Sequence, residues 1–286
     1  MKNLLPTNYQ LMKHDRDYEG LELELLIESI YKRYGFDFRE YAPASLRRRV
    51  LKCVKDEKLN TISGLQELVL HDPACMKRLL RSLTVDVTSM FRDPHFYVAI
   101  RKKVLPQFRN YPLIRIWHAG CATGEEVYSL AILLKEEGLY DRALIYATDM
   151  NDAVLAEAKE GIYPLNEMRV YSTSYHQAGG REEFSKYYTA KYGHARIATS
   201  LQKNIVWAMH NLTTDSSFNE FHLILCRNVM IYFNRSLQDR VHNLLYDSLI
   251  FQGVLGLGAK ESIHSISHEA DYNILDKSGK LYQKLK

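Results

Sequence analysis

Ile116-Trp-His-Ala-Gly-Cys-Ala-Thr-Gly-Glu-Glu-Val-Tyr128 runs from an apolar stretch into two glycines and restarts with helical spacing. That pattern reads as a strand, a tight loop and a helix start, the usual place for an α/β protein to hold a nucleoside cofactor. An ordinary strand-to-helix turn would look similar, so the ligand has to be argued from charge. A dinucleotide site asks for Gly-x-Gly-x-x-Gly, with bare amides and a helix dipole facing a pyrophosphate. Here Ala122 stands between Gly120 and Gly124, and Glu125 and Glu126 occupy the place where phosphate would arrive. Two carboxylates repel a pyrophosphate and suit a cationic ligand, and S-adenosylmethionine carries a sulfonium and an ammonium beside its adenosine. The same glutamates also complement the helix dipole, worth about 0.3 to 1 kcal/mol each.

A ribose-binding acid is expected roughly 20 residues after such a loop, at the end of the next strand. The run Ala143-Leu-Ile-Tyr-Ala-Thr-Asp149 supplies one, although Asp at a strand end also serves as a turn or helix cap. Further apolar runs, Leu113 to Ala119, Ile205 to Met209, Phe221 to Cys226 and Val254 to Leu257, alternate with helical patterns. That alternation predicts a largely parallel sheet. The stretch Tyr163 to Asn204 is too long for a plain connection of about 2 to 6 residues. It reads as an insertion with structure of its own, a small β element that either recognises a partner or merely covers the fold.

Toward the amino terminus, Leu23, Leu26, Ile27, Ile30 and Tyr34 recur at three and four residues, as on the buried stripe of a helix. Gly35 stops that helix, a second runs from about Pro43 to Val54, and Ile62 to Leu83 holds two short ones. The expected division is a helical domain at 1–84 and an α/β domain at 85–286, with the insertion at about 163–204.

The 286 residues suit two units rather than one core. With 46% hydrophobic and 25% charged residues the composition is that of a globular chain, and no apolar run approaches the length needed to cross a bilayer. Met1-Lys-Asn-Leu-Leu-Pro6 shows no secretory pattern, so a cytoplasmic protein is expected. Cys53, Cys75, Cys121 and Cys226 form no Cys-x-x-Cys pair, and no histidine spacing suggests a metal, so reduced thiols and no metal are expected. A net charge of +4 does not by itself indicate nucleic acid.

Three segments converge on one family. Thr84-Val-Asp-Val-Thr-Ser-Met-Phe-Arg-Asp-Pro94, Ala119-Gly-Cys-Ala-Thr-Gly-Glu-Glu126 and Cys226-Arg-Asn-Val-Met-Ile-Tyr-Phe233, in that order, resemble the CheR family of chemotaxis-receptor methyltransferases. The resemblance covers nearly the whole chain, including the late Gly258-Ala-Lys-Glu-Ser262 segment. It implies a Rossmann-like class I methyltransferase sheet with an amino-terminal all-helical domain and a small inserted β-subdomain. It implies that S-adenosylmethionine methylates glutamate side chains on the cytoplasmic signalling domain of transmembrane chemoreceptors, leaving S-adenosylhomocysteine. The chain is expected to work as a monomer, without nucleic acid and without entering the membrane.

By the same resemblance, Asp86, Thr88 and Arg92 line the cofactor from the amino-terminal side, with Gly120 in the loop. Glu125 or Glu126 contacts it from the helix start, Asp149 takes the ribose, Asn211 and Leu212 flank the adenine, and Arg227 and Asn228 contribute from the next strand end. Departures from the family pattern are Asp86 for Asn, Met90 for Phe, and Ala-Lys-Glu where Gly-His-Ser-Glu is usual. A substrate glutamate, with an ordinary pKa of about 4.3, is already ionised at neutral pH and needs no general base. Arg92 and Tyr232 are therefore expected to orient the methionine end of the cofactor and the incoming carboxylate. Leu46-Arg-Arg-Arg-Val-Leu-Lys52 offers Arg47, Arg48, Arg49 and Lys52 for docking the acidic receptor helices, against the plainer reading of a solvated charged face.

Three other functions compete. Nucleic-acid methylation would use the same basic helix, but the Asp/Asn-Pro-Pro-Tyr/Phe motif of adenine amino methyltransferases is replaced by Cys226-Arg-Asn-Val. A non-catalytic sensor would bind the cofactor without turnover. A dehydrogenase would need the pyrophosphate that the two glutamates oppose.

Overall fold

The computed structural model describes residues 15–84, 88–264 and 266–286, with side chains from residue 18 onward. The chain forms two compact units, one comprising Pro43–Leu83 with the residues up to Arg39, the other Glu40–Ala42 with Thr84–Lys286.

The first unit is helical: α1 (Asp15–Tyr34), α2 (Pro43–Asp56), α3 (Ile62–His71) and α4 (Pro73–Leu83). Leu26, Ile27 and Ile30 of α1 are buried with Val50, Leu65, Val69, Leu79 and Leu80, the stripe that three-and-four spacing predicts. Thr61 caps α3 by accepting from the Gly64 amide at 3.0 Å, satisfying one of the orphan donors of its first turn.

The second unit is built on β1 (Ile114–Ala119), α5 (Pro94–Ala99) preceding it, α6 (Glu125–Glu136), β2 (Ala143–Asp149), α7 (Asp152–Glu160), β3 (Ile162–Pro164), α8 (Glu167–Gln177), β4 (Tyr188–Lys191), β5 (His194–Ile197), β6 (Ile205–Met209), β7 (Phe221–Cys226), α9 (Arg235–Asp247), β8 (Leu249–Leu257), β9 (Tyr272–Asp276) and β10 (Leu281–Lys284). Seven strands form one sheet in the order β6-β2-β1-β7-β8-β10-β9. The first five are parallel; β10 runs antiparallel between β8 and β9, so that β9 points the same way as the five. This is the class I methyltransferase sheet that the sequence leads one to expect. The β9–β10 hairpin at the carboxyl-terminal end of the sheet adds to the strands read from the sequence, because its short strands Tyr272–Asp276 and Leu281–Lys284 carry no continuous apolar run.

Alternate strand residues divide between two cores. Ile116, Ile145, Leu223 and Leu225 face one side with Val127, Leu130 and Leu134 of α6. Trp117, Ile224, Leu255 and Leu257 face the other with Leu237, Val241 and Leu245 of α9. The insertion holds a three-stranded antiparallel sheet, β3-β5-β4, and the helix α8, which its Tyr/Ser/Thr-rich sequence had hidden. Tyr163, Tyr171, Tyr175, Phe184 and Tyr187 join the α6 core, so the insertion packs as part of the domain. Glu136 fastens it: its carboxylate accepts from Arg101 at 2.6 Å, the Tyr187 hydroxyl at 3.0 Å, the Arg181 amide at 3.1 Å, and the Tyr175 hydroxyl.

Among the described residues no helix is long and apolar enough to cross a membrane, and no group of three or more His, Cys, Asp or Glu could hold a metal ion.

Candidate active site

The loops that leave β1, β2, β6 and β7 meet at the carboxyl edge of the parallel strands, where open α/β sheets bind ligands. Gly120 (φ 77°), Ala122 (φ 47°) and Gly124 (φ 90°) carry the first loop through left-handed conformations. A side chain at Gly120 would come within 2.6 Å of Val229 Cγ2, so glycine is required for space as well as for φ. The amides of Gly120 and Cys121 both donate to the Thr148 carbonyl at 2.9 Å, tying the loop to the end of β2.

Asp149 ends β2 with its carboxylate turned back on that loop. Oδ2 accepts from the Ala122 amide at 3.0 Å and Oδ1 from the Asn151 amide at 3.1 Å. The residue is buried, and burial pushes its carboxyl above the ordinary range although backbone amides pull it back. Helix capping falls instead to Asn151, which accepts from Ala153 N. The Asp149 carbonyl accepts from His210 N at 3.1 Å, bringing the β6 loop alongside. There the Asn211 side-chain oxygen closes a turn on Thr213, and Leu212 is buried against the Trp117 core.

Glu126 and Arg227 form the electrostatic centre. Arg227, its side chain only 2% exposed, donates to Glu126 Oε2 and Asp93 Oδ2, each at 2.7 Å. Its guanidinium lies 3.9 Å from the centre of the Phe96 ring and also reaches the Arg92 carbonyl at 3.5 Å. Glu126 Oε1 meets His118 Nδ1 at 3.2 Å. Burial would raise the Glu126 carboxyl, but Arg227 and His118 outweigh it and hold it at about 2. Glu126 and Arg227, both expected to line the cofactor, are thus paired with each other and, beyond that, with His118 and Asp93. Phe91 (φ 53°) and Asp93 (φ 57°) enter this network in left-handed conformations that are uncommon for such residues. Phe91 is held there by its amide, which donates to Ser129 Oγ of α6 at 2.9 Å.

Glu125, at the first position of α6, is buried and accepts from the Thr123 hydroxyl at 2.7 Å. Thr88 and Arg92 are half-buried on the segment before α5, and Asp86 lies outside the described residues. Asn228 (φ 63°) turns the β7 loop, and Tyr232 is partly buried against the second core, its carbonyl accepting from Ala42 N at 2.7 Å.

In the helical unit the four basic residues of α2 part company, because successive residues turn about 100° around a helix. Arg47 is exposed and bidentate with Glu19 at 2.6 and 3.0 Å; Arg48 and Lys52 are exposed. Arg49 is buried and donates to the Leu83 carbonyl, so it holds α2 to α4 and leaves the docking set. Replacing Arg49 by Ala should cost the helical unit about 1 to 3 kcal/mol, read as a lowered Tm, by stranding that carbonyl. An unchanged Tm would contradict this.

Sequence reading missed His118, which meets Glu126 eight residues on, and Asp93 and Glu261, whose partners are mostly remote in the chain. The oxygens of buried Glu261 accept from four backbone amides, those of Gly258, Asn228, Val229 and Met230. Its only sequence signal was its place in the late Gly258–Ser262 segment.

Comparison with known proteins gives the family. Residues 86–278 match the CheR methyltransferase SAM-binding domain and residues 21–84 the CheR methyltransferase all-alpha domain. The chain is 49% identical over 264 residues to "Putative methyltransferase Cher3" of Pseudomonas putida, covering 92% of this chain and 97% of that one. It is 29% identical to a chemotaxis protein methyltransferase of Listeria monocytogenes, over 84% of this chain and 88% of that one. A chemotaxis protein methyltransferase of Salmonella typhimurium is 26% identical, over 85% and 84% of the two chains. With the strand order, the glycine loop and the acid ending β2 in place, the chain belongs to the CheR family of S-adenosylmethionine-binding methyltransferases.

Proposed function

We propose that this protein, acting in the cytoplasm as a monomer, methylates glutamate side-chain carboxylates on the signalling domains of chemoreceptors. The observation that carries the reading is the placement of Asp149 and the two-glutamate helix start around one glycine loop, in a chain whose relatives include chemotaxis protein methyltransferases. The donor set fits S-adenosylmethionine: the Asp149 carboxylate accepts from the Ala122 and Asn151 amides and has acceptor capacity left for a ribose hydroxyl. When bound, the cofactor supplies an electrophilic methyl carbon on a sulfonium.

Asp149 holds the ribose, Asn211 and Leu212 flank the adenine, and Gly120 lets the backbone come close. Glu125 is the carboxylate assigned to the cationic end, with Thr88 on the amino-terminal side and Asn228 from the β7 loop, and the family resemblance adds Asp86 to the cofactor's ligands. Arg227 and Glu126 act as positioning residues through their ion pair. Arg92 and Tyr232 orient the incoming carboxylate, which attacks without a general base. Alignment in a dry pocket can supply about 7 to 11 kcal/mol of barrier reduction.

The test uses methyl-labelled cofactor and receptor-rich membranes. The label should enter the receptor and be released as methanol by mild base, as a carboxyl ester is and an N-methyl group is not. Base-stable label would refute glutamate esterification, and tight cofactor binding without transfer would favour a sensor. In the same assay Arg92→Ala and Tyr232→Phe should slow transfer by an order of magnitude or more, within the range of lost transition-state contacts.

Arg47, Arg48 and Lys52 are assigned to receptor docking. Arg48→Glu should raise the receptor KM and weaken its dependence on ionic strength, leaving cofactor affinity alone. A receptor KM indifferent to both the substitution and salt would remove this surface from substrate choice.

A further inference from the structure

Glu261 has no part in the function described above, yet it is the most heavily hydrogen-bonded carboxylate near the site. It stands between β8 and β9 with 5% of its surface exposed. Oε1 accepts from Val229 N at 2.9 Å and Met230 N at 2.8 Å, and Oε2 from Asn228 N at 2.9 Å and Gly258 N at 2.6 Å. Four converging amides are the arrangement that elsewhere captures a phosphate, here filled by the chain's own anion. Gly258 is needed to build it, since a Cβ there would lie 2.7 Å from Glu261 Oε2 and 2.8 Å from Asn228 N.

The clasped segment faces the cofactor loop directly. Val229 Cγ2 sits 2.6 Å from where a Cβ on Gly120 would be. Arg227, one residue before the clasp, reaches Glu126 at the start of α6. Asn228 is kept at φ 63° by the amides on either side of its turn. The geometry points to Glu261 as a positioning residue that holds the Asn228–Met230 turn against Gly120 and thereby fixes one wall of the cofactor pocket. This rests on the reading above that the β7 loop borders the cofactor, and it concerns cofactor affinity rather than receptor choice.

In Glu261→Gln one oxygen becomes an NH2 group, so one pair of amides loses its acceptor and meets a donor. Hydrogen bonds to charged groups are strong enough that adenosylhomocysteine affinity should fall roughly 10- to 100-fold by calorimetry. The KM for S-adenosylmethionine should rise in step while the receptor KM stays put, a split that general loss of stability would not produce. The wild-type protein gives a second readout that does not depend on a variant folding. Without ligand, the amides of Asn228, Val229, Met230 and Gly258 should already be protected from hydrogen exchange, because their acceptor is internal. Unchanged adenosylhomocysteine affinity in Glu261→Gln, or fast exchange of those four amides in the wild type, would overturn the assignment. Adenosylhomocysteine binding without receptor methylation would instead sink the substrate reading and leave this one standing.

Discussion

Replacing Arg227 by Ala should destabilise the α/β unit by roughly 3 to 5 kcal/mol, the range for removing one partner of a buried ion pair. The cost comes from what is left behind. Glu126, 18% exposed at its side chain, loses the cation that offsets its burial, and Asp93 loses the same partner. The stacking of the guanidinium on Phe96 goes too. The loss should depend on pH with a definite sign. In the native protein the Glu126 carboxyl is depressed from 4.5 to about 2, so the stability it contributes is complete above 4.5 and disappears as pH falls toward 2. Without Arg227 burial prevails, the folded-state carboxyl moves up, and the variant recovers as acid neutralises it. The Tm gap between wild type and Arg227→Ala should therefore be widest near neutral pH and narrow on acidification through the carboxylate range. Adding Glu126→Gln to Arg227→Ala should return part of the loss, because the orphaned charge is gone. Equal Tm values for wild type and Arg227→Ala at neutral pH would show that the network does not hold the loops.

How much of this was legible in the sequence follows from the range of each interaction. The strands β1, β2 and β7 could be read because central parallel strands are buried on both faces and so appear as near-continuous apolar runs, whereas β6, a largely exposed edge strand, was legible only from its apolar residues Ile205 to Met209. Asp149 could be read from its spacing after the glycine loop, and the helical unit from three-and-four periodicity. By contrast, Arg227 is 101 residues from Glu126 and 134 from Asp93, and nothing local says that these charges cancel. Runs of like residues mislead in the same way. Arg47, Arg48 and Arg49 look equivalent in one dimension, but the helix turns the third inward to the Leu83 carbonyl, 34 residues on. The clasp around Glu261 has no local signature either, because three of the four amides it gathers lie 31 to 33 residues upstream.

Asp149→Asn should have the largest effect on the ligand. Asp149 is nearly isosteric with its replacement, and one amide oxygen remains to accept from Ala122 or Asn151, so the fold should persist. A ribose held by Asp149 as proposed would lose a charged acceptor for its hydroxyls. Loss of a charge-assisted hydrogen bond costs about 1.5 to 3 kcal/mol, so a fall in adenosylhomocysteine affinity of about 100-fold is expected. Thermal shift converts this into a clear contrast. At a ligand concentration 100 times the wild-type Kd the wild type gains about 2.7 kcal/mol, and a variant with a 100-fold weaker Kd gains only about 0.4 kcal/mol. Burial already raises the Asp149 carboxyl, so its folded-state charge is held at a cost that bound ligand offsets and that Asn does not carry. A raised folded-state pKa favours folding fully below the unfolded value and loses that advantage as pH rises through the folded one. At neutral pH, therefore, the ligand-free Asn variant should not lose more than the single amide contact it forgoes, while its response to adenosylhomocysteine all but disappears. A variant that binds adenosylhomocysteine as the wild type does would place the ribose elsewhere, and with it the glycine loop's claim to be the cofactor site.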